Sequence, residues 1–259
     1  MKIACLQMNT IIGNPEVNFA KAERMIHDAA KDSPDVIVLP ETWNSGFFPK
    51  DNLAAHCCHD GAEVRERIGA LAKYYHINIV AGSVSDLRGT RIYNTAYIFD
   101  RDGNRIADYD KTHLFTPMGE DKYYTSGDHL CRFRLDGVEC ALVICYDLRF
   151  PELARRLALD GTGILFAVSQ WPGERVFHLR SLTTARAIEN QLYVVNCNSC
   201  GLSGGTVFAG NSAVIDPLGK TVSLAGTDEE ILLSECDAGL IDRIRSKIPV
   251  FRDRRPELY

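Results

Sequence analysis

Residues 140–153 read CALVICYDLRFPEL, and this short segment joins a buried strand, a thiol and a helix start. The apolar run ALVI is typical of a strand covered on both faces. It leads directly into Cys145, after which the chain turns polar with YDLR. Pro151 can occupy the first turn of a helix, PELARRLALDG, which Gly161 ends. A thiol at this position fits packing or catalysis, and the rest of the chain has to distinguish the two.

Strands and helices alternate on both sides of this segment. Short apolar runs predict strands at KIACLQM, VIVLP, INIVAGS, GILFAVS, LYVVNCN and ILLSECD. Helical spacing of apolar residues predicts helices from Asn18, over 64–75 and over 178–190. Asp-Gly pairs at 102–103 and 136–137 and the DPLG stretch at 216–219 predict hairpins. The pattern predicts an α/β fold with a mixed sheet or a pair of sheets, helices outside, and one domain over residues 1–259.

The composition is that of an ordinary globular protein, with 259 residues, 46% apolar and 24% charged. The net charge of −5 gives no reason to bind nucleic acid or an anionic membrane. The sequence contains no apolar run near the ~20 residues of a membrane helix, and its start lacks a secretory signal pattern. We therefore expect a cytoplasmic protein whose nine cysteines are reduced thiols.

Three predicted strands share one layout, in which a strand ends at a reactive side chain. VIVLP precedes Glu41, IADYD precedes Lys111, and ALVI precedes Cys145. Strand ends are where α/β folds gather their sites. Each residue alone has an ordinary structural explanation, whereas a thiol, a carboxylate and an ammonium together suffice for acyl transfer. Glu41 can take the thiol proton and later activate water, while Lys111 and the Tyr146 N–H can stabilise an oxyanion.

The segments LPETWNSGF, YDKTHLF and LVICYDLRFPELAR resemble the three signature segments of the nitrilase (carbon–nitrogen hydrolase) superfamily. The resemblance extends over the whole chain, including ARAIENQ and GNSAVIDPLGK. It implies a Glu41–Lys111–Cys145 catalytic triad, with Glu120 as a second glutamate that orients the reacting groups. It also implies an α-β-β-α four-layer sandwich, a homodimer, and no metal or organic cofactor.

Within the superfamily the chain resembles the ω-amidases, through WPGERVFH at 171–178 and the closing IPVFRDRRPELY. This implies hydrolysis of a small amide, 2-oxoglutaramate or 2-oxosuccinamate, to a dicarboxylate and ammonia. A guanidinium can clamp the distal carboxylate of such a substrate, and Arg175 is the candidate. Trp171 is expected to form an apolar wall, Leu179 stands where relatives commonly carry Trp, and Arg149 is expected to tie the turn after Cys145 to carboxylates.

Other functions remain open on the sequence alone. One is hydrolysis of N-carbamoyl amino acids, other short amides or nitriles, and another is a non-catalytic binding or scaffold subunit. His113 and His178 are candidates for the base of a Cys-His mechanism, but the mechanism implied by the resemblance does not need them. HCCHD at 56–60 lacks the spacing of a zinc site, and CNSC at 197–200 follows a strand, unlike a redox motif. GLSGG at 201–205 is expected to be a flexible loop bordering the pocket.

Overall fold

The computed structural model describes residues 1–47 and 49–258. The helices are α1 (Pro15–Ala30), α2 (Ala62–Val64), α3 (Ala70–Tyr75), α4 (Pro151–Leu159), α5 (Val176–Asn190) and α6 (Ala238–Lys247). The strands are β1 (Lys2–Gln7), β2 (Val36–Val38), β3 (Cys58–His59), β4 (Asn78–Arg88), β5 (Arg91–Phe99), β6 (Arg105–Asp110), β7 (Cys131–Leu135), β8 (Val138–Ile144), β9 (Ile164–Ser169), β10 (Tyr193–Asn198), β11 (Cys200–Ser203), β12 (Thr206–Ala209), β13 (Ala213–Ile215), β14 (Thr221–Leu224) and β15 (Glu230–Glu235).

Two mixed sheets form the centre of the molecule. The first has the strand order β15-β1-β2-β4-β5-β6, with β3 added beside β4. The second has the order β14-β13-β10-β9-β8-β7. Each sheet has three parallel strands at its centre, β1-β2-β4 in the first and β8-β9-β10 in the second, and antiparallel strands extend each sheet on both sides. The hairpins predicted from the sequence supply all of these flanking strands except β15.

The two faces of each sheet are both buried. In β1, Ile3 and Cys5 face the second sheet, whereas Ala4 and Leu6 face the helices on the other side. This follows from the two-residue period of a strand, which sends successive side chains to opposite faces. The inner cluster takes residues from both sheets and is the core between them.

Helices cover the outer faces. The apolar side of α1 packs on the first sheet together with the segment at 62–75, in which a π-turn at Arg65–Gly69 joins α2 to α3. Helices α4 and α5 pack on the second sheet. The layers are therefore helix, sheet, sheet, helix, and the predicted α-β-β-α sandwich is confirmed.

Most predicted elements are present at the expected places, with three differences. Strand β4 extends to Arg88, well beyond INIVAGS. The GLSGG segment, expected to be a flexible loop, forms the end of β11 and the turn of the β11–β12 hairpin. Helix α6 was not anticipated, because its polar sequence carries only a narrow apolar stripe with Ile241 and Ile244 buried. No helix in the described chain is long and apolar enough to span a membrane.

Candidate active site

The candidate site lies where the carboxyl ends of four strands meet. β2 and β6 in the first sheet run in the same direction, as do β8 and β9 in the second. The chain delivers Glu41 just after β2, Lys111 after β6, Cys145 after β8 and Gln170 after β9. The Gln170 N–H donates to Glu41 Oε2 at 2.9 Å, which brings the two sheets' ends into direct contact.

Cys145 lies at a sharp turn between β8 and a single 3-10 turn, Cys145–Arg149. Its φ of 47° is in the left-handed region, which is uncommon for a residue with a Cβ and is found preferentially at functional sites. Cys145 is partly exposed, whereas the other eight cysteines are buried, and all nine are free thiols. The packing explanation therefore applies to the other cysteines better than to this one.

Asp147 holds this turn in place. Its Oδ2 accepts from the Ile144 N–H and from the Tyr109 hydroxyl, both at 2.9 Å. Its Oδ1 accepts from the His113 N–H at 3.1 Å and lies 2.7 Å from the His113 ring Nδ1. One buried carboxylate thus fixes the turn that carries Cys145 to the segment that carries Lys111. His113, which also stacks on Phe150, has a structural role in this arrangement.

Glu41, Lys111 and Glu120 form one buried cluster. Lys111 Nζ donates to Glu41 Oε1 at 2.8 Å and to Glu120 Oε1 and Oε2 at 3.0 and 2.9 Å. The three side chains are at most 1% exposed. Two carboxylates and one ammonium leave the cluster with one net negative charge, so it can accept one proton.

Two glycines let the backbone approach the cluster closely. At Gly82, with a φ of +60°, an added Cβ would lie 2.1 Å from the Pro40 carbonyl oxygen, directly before Glu41. At Gly127 an added Cβ would lie 2.1 Å from the Asp110 carbonyl oxygen, directly before Lys111. The backbone directly before Glu41 and before Lys111 is therefore packed against a neighbouring segment at a distance that only glycine permits.

Burial sets the protonation of the site. Burial and the nearby Glu41 charge raise the pKa of the Cys145 thiol well above its ordinary value, while Lys111 and the Gln170 N–H oppose them. Burial also raises the pKa of Glu41, and the Lys111 charge opposes it. Burial alone would lower the pKa of Lys111, but Glu120 and Glu41 raise it well above the ordinary value. A thiol whose pKa is raised needs a base to become a nucleophile, and Glu41 is the candidate for that role.

A cleft opens above Cys145. Its lining is mostly apolar and aromatic, with two guanidinium groups: Phe47, Phe115, Met118, Cys145, Tyr146, Arg149, Gln170, Trp171, Pro172, Arg175, Thr206 and Phe208. Tyr146, Trp171 and Arg175, all expected at the substrate, lie on this wall. An apolar cleft with few polar groups is typical of a small-molecule site.

The two arginines of the cleft have different surroundings. Arg175 stacks over the Phe115 ring at 5.1 Å and pairs with the exposed Glu174 at 3.0 Å. Arg149 lies over the Trp171 ring at 4.7 Å and is 3.2 Å from His178 Nδ1. The expectation that Arg149 ties the turn to carboxylates is not what the structure has, because its contacts are an aromatic ring and an imidazole.

Leu179 does not lie on the cleft. It is buried under α5 in the core of the second sheet and borders a separate surface groove. The apolar wall of the cleft comes from Trp171 and from the aromatic residues Phe115 and Phe208 instead. Leucine in place of tryptophan at position 179 therefore does not change the apolar wall of the cleft.

Sequence reasoning missed several residues of the site. Gln170 follows an apolar strand as Glu41 and Cys145 do, so the same strand-end layout could have revealed it. Asn94 is a polar residue inside the strand RIYNTAYIF, and its Nδ2 contacts both glutamates. Thr206 and Phe208 reach the cleft because the β11–β12 hairpin folds back, with Pro172 bridged to Phe208. No sequence pattern signals that contact.

The other constellations give no second site. Residues 1–47 and 49–258 contain no group of three His, Cys, Asp or Glu side chains arranged to hold a metal ion. Cys57 and Cys58 of HCCHD are buried, and burial raises the pKa of Cys57 to about 12. Cys197 and Cys200 lie in β10 and β11, so the CNSC segment opens no helix.

Comparison with known proteins assigns the family. The carbon-nitrogen hydrolase family model matches residues 2–246. This chain belongs to the carbon-nitrogen hydrolase family. The predicted enzyme class, a hydrolase of non-peptide carbon–nitrogen bonds within the nitrilase superfamily, is thereby confirmed. The single-domain boundaries and the site residues stay predictions.

Individual relatives cover nearly the whole chain. A 2-oxoglutaramate amidase of Bacillus subtilis (strain 168) is 41% identical over 257 residues, 99% of this chain and 98% of the relative. The crystal structure of Nit3 from Saccharomyces cerevisiae, of the nitrilase superfamily, matches with a TM-score of 0.89, 30% identity and coverage of 96% and 94%. An amidase from Nesterenkonia sp. AN1, with an acetamide moiety covalently added at its active-site cysteine, matches with a TM-score of 0.88, 25% identity and coverage of 100% and 95%.

Proposed function

We propose that this carbon-nitrogen hydrolase is an ω-amidase. It hydrolyses the terminal amide of 2-oxoglutaramate or 2-oxosuccinamate to the dicarboxylate and ammonia through a thioester on Cys145. The observation that carries the proposal is a thiol beside a Glu–Lys–Glu cluster, at the base of an apolar cleft with a guanidinium on its wall. The amidase of Bacillus subtilis acting on 2-oxoglutaramate supports the choice of substrate.

In the first half-reaction Cys145 Sγ attacks the amide carbon as its proton passes to Glu41. The oxyanion that develops on the amide oxygen is held by Lys111 Nζ and the Tyr146 N–H. Each such donor contributes roughly 3–4 kcal/mol to the transition state. The proton on Glu41 then moves to the amide nitrogen, the C–N bond breaks, and ammonia leaves a thioester behind.

In the second half-reaction water hydrolyses this thioester. Glu41, again ionised, takes a proton from the water, whose oxygen attacks the thioester carbon. The same donors hold the oxyanion, the C–S bond breaks, and the proton returns to the Cys145 sulfur. Glu120 keeps Lys111 charged and in place throughout, since it accepts two hydrogen bonds from it.

Arg175 is the proposed partner of the distal carboxylate. Its present partner, Glu174, is exposed and neighbours it in sequence, so the guanidinium can exchange that contact for a substrate carboxylate. Arg149 is held between an indole ring and an imidazole and is less free to turn. A bidentate guanidinium–carboxylate pair would orient the substrate with its amide toward Cys145.

Steady-state kinetics on a substrate panel test the proposal. The panel holds 2-oxoglutaramate, glutamine, an N-carbamoyl amino acid, an aliphatic nitrile and butyramide, a neutral amide. We expect the highest kcat/KM on 2-oxoglutaramate. Preference for the carbamoyl compound or the nitrile would move the assignment to those hydrolases, and binding without turnover of any compound would support the non-catalytic alternative.

Arg175→Met separates carboxylate recognition from chemistry. We expect it to raise KM for 2-oxoglutaramate about 10- to 100-fold, as loss of a charge-assisted contact predicts, and to leave butyramide hydrolysis nearly unchanged. Arg149→Met is the matched control, since it removes the other guanidinium of the same cleft. If Arg149→Met alone selectively weakens 2-oxoglutaramate, the carboxylate partner is Arg149.

We further propose that the enzyme is a cytoplasmic homodimer. Nine free thiols fit a reducing compartment. An apolar patch on α5 and the β13–β14 hairpin, outside the second sheet, fits a subunit contact. Its exposed members are Phe177, Ile188, Leu218, Val222 and Leu224.

A further inference from the structure

Asn94 is a fully buried polar residue in β5 that contacts three members of the catalytic cluster. Its Nδ2 donates to Glu41 Oε1 at 2.9 Å and to Glu120 Oε1 at 3.3 Å. Its backbone carbonyl oxygen accepts from the Lys111 N–H at 2.9 Å. One strand residue therefore spans the base, the second glutamate and the lysine.

The orientation of the Asn94 amide follows from its partners. Turning the amide over would place Oδ1 against two carboxylate oxygens, which repel it. In the present orientation Oδ1 is buried and has no hydrogen-bond partner among the described residues. A buried acceptor without a partner destabilises a fold, so packing of β5 alone gives no reason for an asparagine here.

The net charge of the Glu41–Lys111–Glu120 cluster explains why a neutral hydrogen-bond donor suits position 94. Lys111 neutralises one of the two carboxylates. The other carboxylate keeps its negative charge and can accept the thiol proton. A second cation at this position would cancel that charge and weaken the base. An apolar residue would remove the donor that Glu41 and Glu120 share besides Lys111, and the repulsion between the two buried carboxylates would then favour protonation of one of them. An amide N–H stabilises the ionised form without changing the charge.

The Asn94 amide also makes the two carboxylate oxygens of Glu41 differ in their hydrogen bonds. Oε1 already accepts from Lys111 and Asn94, whereas Oε2 accepts from the Gln170 N–H. Oε2 is therefore the oxygen with remaining capacity for the thiol proton. Gln170, whose N–H donates to Oε2, lines the same cleft as Cys145, so Oε2 is the Glu41 oxygen on the side of that shared cleft.

We propose that Asn94 is a positioning residue for the reaction: its amide holds Glu41 and Glu120 against Lys111, keeps Glu41 ionised, and leaves Glu41 Oε2 directed to Cys145. The inference rests on the proposed function for its catalytic consequence. Its physical content, a thiol whose reactivity depends on Asn94, can be measured without any substrate.

The test is the pH dependence of Cys145 alkylation by iodoacetamide in the full-length protein, followed by mass spectrometry. In alkylation the sulfur bonds to the iodoacetamide carbon, iodide leaves, and the thiol proton passes to Glu41. In the native protein we expect the rate to rise as Glu41 ionises. In Asn94→Leu, which removes the donor without adding charge, we expect the midpoint about one pH unit higher and the rate below it roughly tenfold lower.

Two further variants complete the design. Asn94→Asp keeps the shape of the side chain and replaces the donor with an acceptor, so we expect a shift in the same direction, and it serves if Asn94→Leu does not fold. Thr95→Val is the matched control, because Thr95 is the next residue of β5, is equally buried and donates to Asp110, a carboxylate outside the cluster. Its midpoint should equal that of the native protein.

The outcomes are distinct. An upward shift in the Asn94 variants and not in Thr95→Val supports the proposal. An unchanged midpoint, including a uniform slowing at every pH, shows a merely structural role and overturns it. A native profile that rises only with ordinary thiol ionisation, near ~8.5, also overturns it, because Glu41 is then not the base. A shift in a protein that fails to hydrolyse 2-oxoglutaramate counts against the proposed substrate alone.

Discussion

At the scale of single residues, Glu41 holds the site together because one carboxylate receives donors from three directions. Lys111 and Asn94 donate to Oε1 and the Gln170 N–H donates to Oε2. The Lys111 contact opposes the burial that raises the pKa of Glu41, and a pKa above the ordinary carboxylate value suits the proton transfers proposed for this residue. An isolated glutamate at a strand end would lack both the tuning and the orientation.

The raised pKa of Glu41 predicts the pH profile of the enzyme. Activity requires the ionised carboxylate, so kcat/KM should fall as pH decreases through a value above the ~4.3 of a free glutamate. The alkaline side should stay flat to about pH 9, because the pKa of Lys111 is raised and the ammonium persists. Measurement of kcat/KM for 2-oxoglutaramate between pH 4 and 10 checks both limbs. An acidic limb at or below ~4.3 would contradict the account.

At the scale of elements, a close contact between two backbone segments fixes the position of the strand end that carries Glu41. The contact between β4 and the segment after β2 depends on Gly82, whose φ of +60° and contact with the Pro40 carbonyl both exclude a side chain. Glu41 follows Pro40 directly. The position of the base is therefore set by the neighbouring strand.

Gly82→Ala tests this contact. We expect it to destabilise the fold by about 2–5 kcal/mol, combining left-handed strain with overpacking, and to lower kcat about 100-fold through displacement of Glu41. Gly89→Ala is the control, since its φ is also +60° but nothing lies within 4 Å of the added Cβ. It should lose only about 1–2 kcal/mol and keep its kcat. Thermal denaturation and steady-state kinetics give both quantities, and equal effects of the two changes would refute the explanation.

Much of the fold and of the candidate site could be predicted from sequence patterns of strands, helices and turns. Alternating strands and helices with Asp-Gly turns gave the hairpins, and Asp136 and Gly137 have the positive φ values, 47° and 84°, of that turn type. The strand-end layout predicted Glu41, Lys111 and Cys145. Glu120 came only from the family resemblance. Asn94 and Phe208 could not be found, because their roles depend on which strands and hairpins become neighbours in space.

At the scale of the whole molecule, one helical layer leaves apolar side chains uncovered. Phe177 is 74% exposed and Ile188 lies three turns further along the same side of α5. Ile188 contacts the turn at Gly219, so the helix and the β13–β14 hairpin share one face. A second copy of the chain would bury this face in the proposed homodimer.

Sedimentation equilibrium tests the dimer. We expect twice the chain mass of 28.8 kDa for the native protein, and the single mass for Phe177→Glu combined with Ile188→Lys. Tyr74→Glu is the control, since Tyr74 is equally exposed but lies on α3 outside the other sheet. It should leave the mass unchanged. A native protein of 28.8 kDa at micromolar concentration would contradict the proposed assembly.

The proposed function depends most directly on a thioester between Cys145 and the acyl group of 2-oxoglutaramate. Rapid acid quenching during turnover, followed by intact-mass and peptide analysis, measures it directly. We expect an acyl adduct on the Cys145 peptide of the native enzyme. In Cys145→Ala we expect no adduct and ammonia release below about 1% of the native rate. Sustained release by Cys145→Ala, or turnover with the acyl group on another residue, would contradict the proposed function.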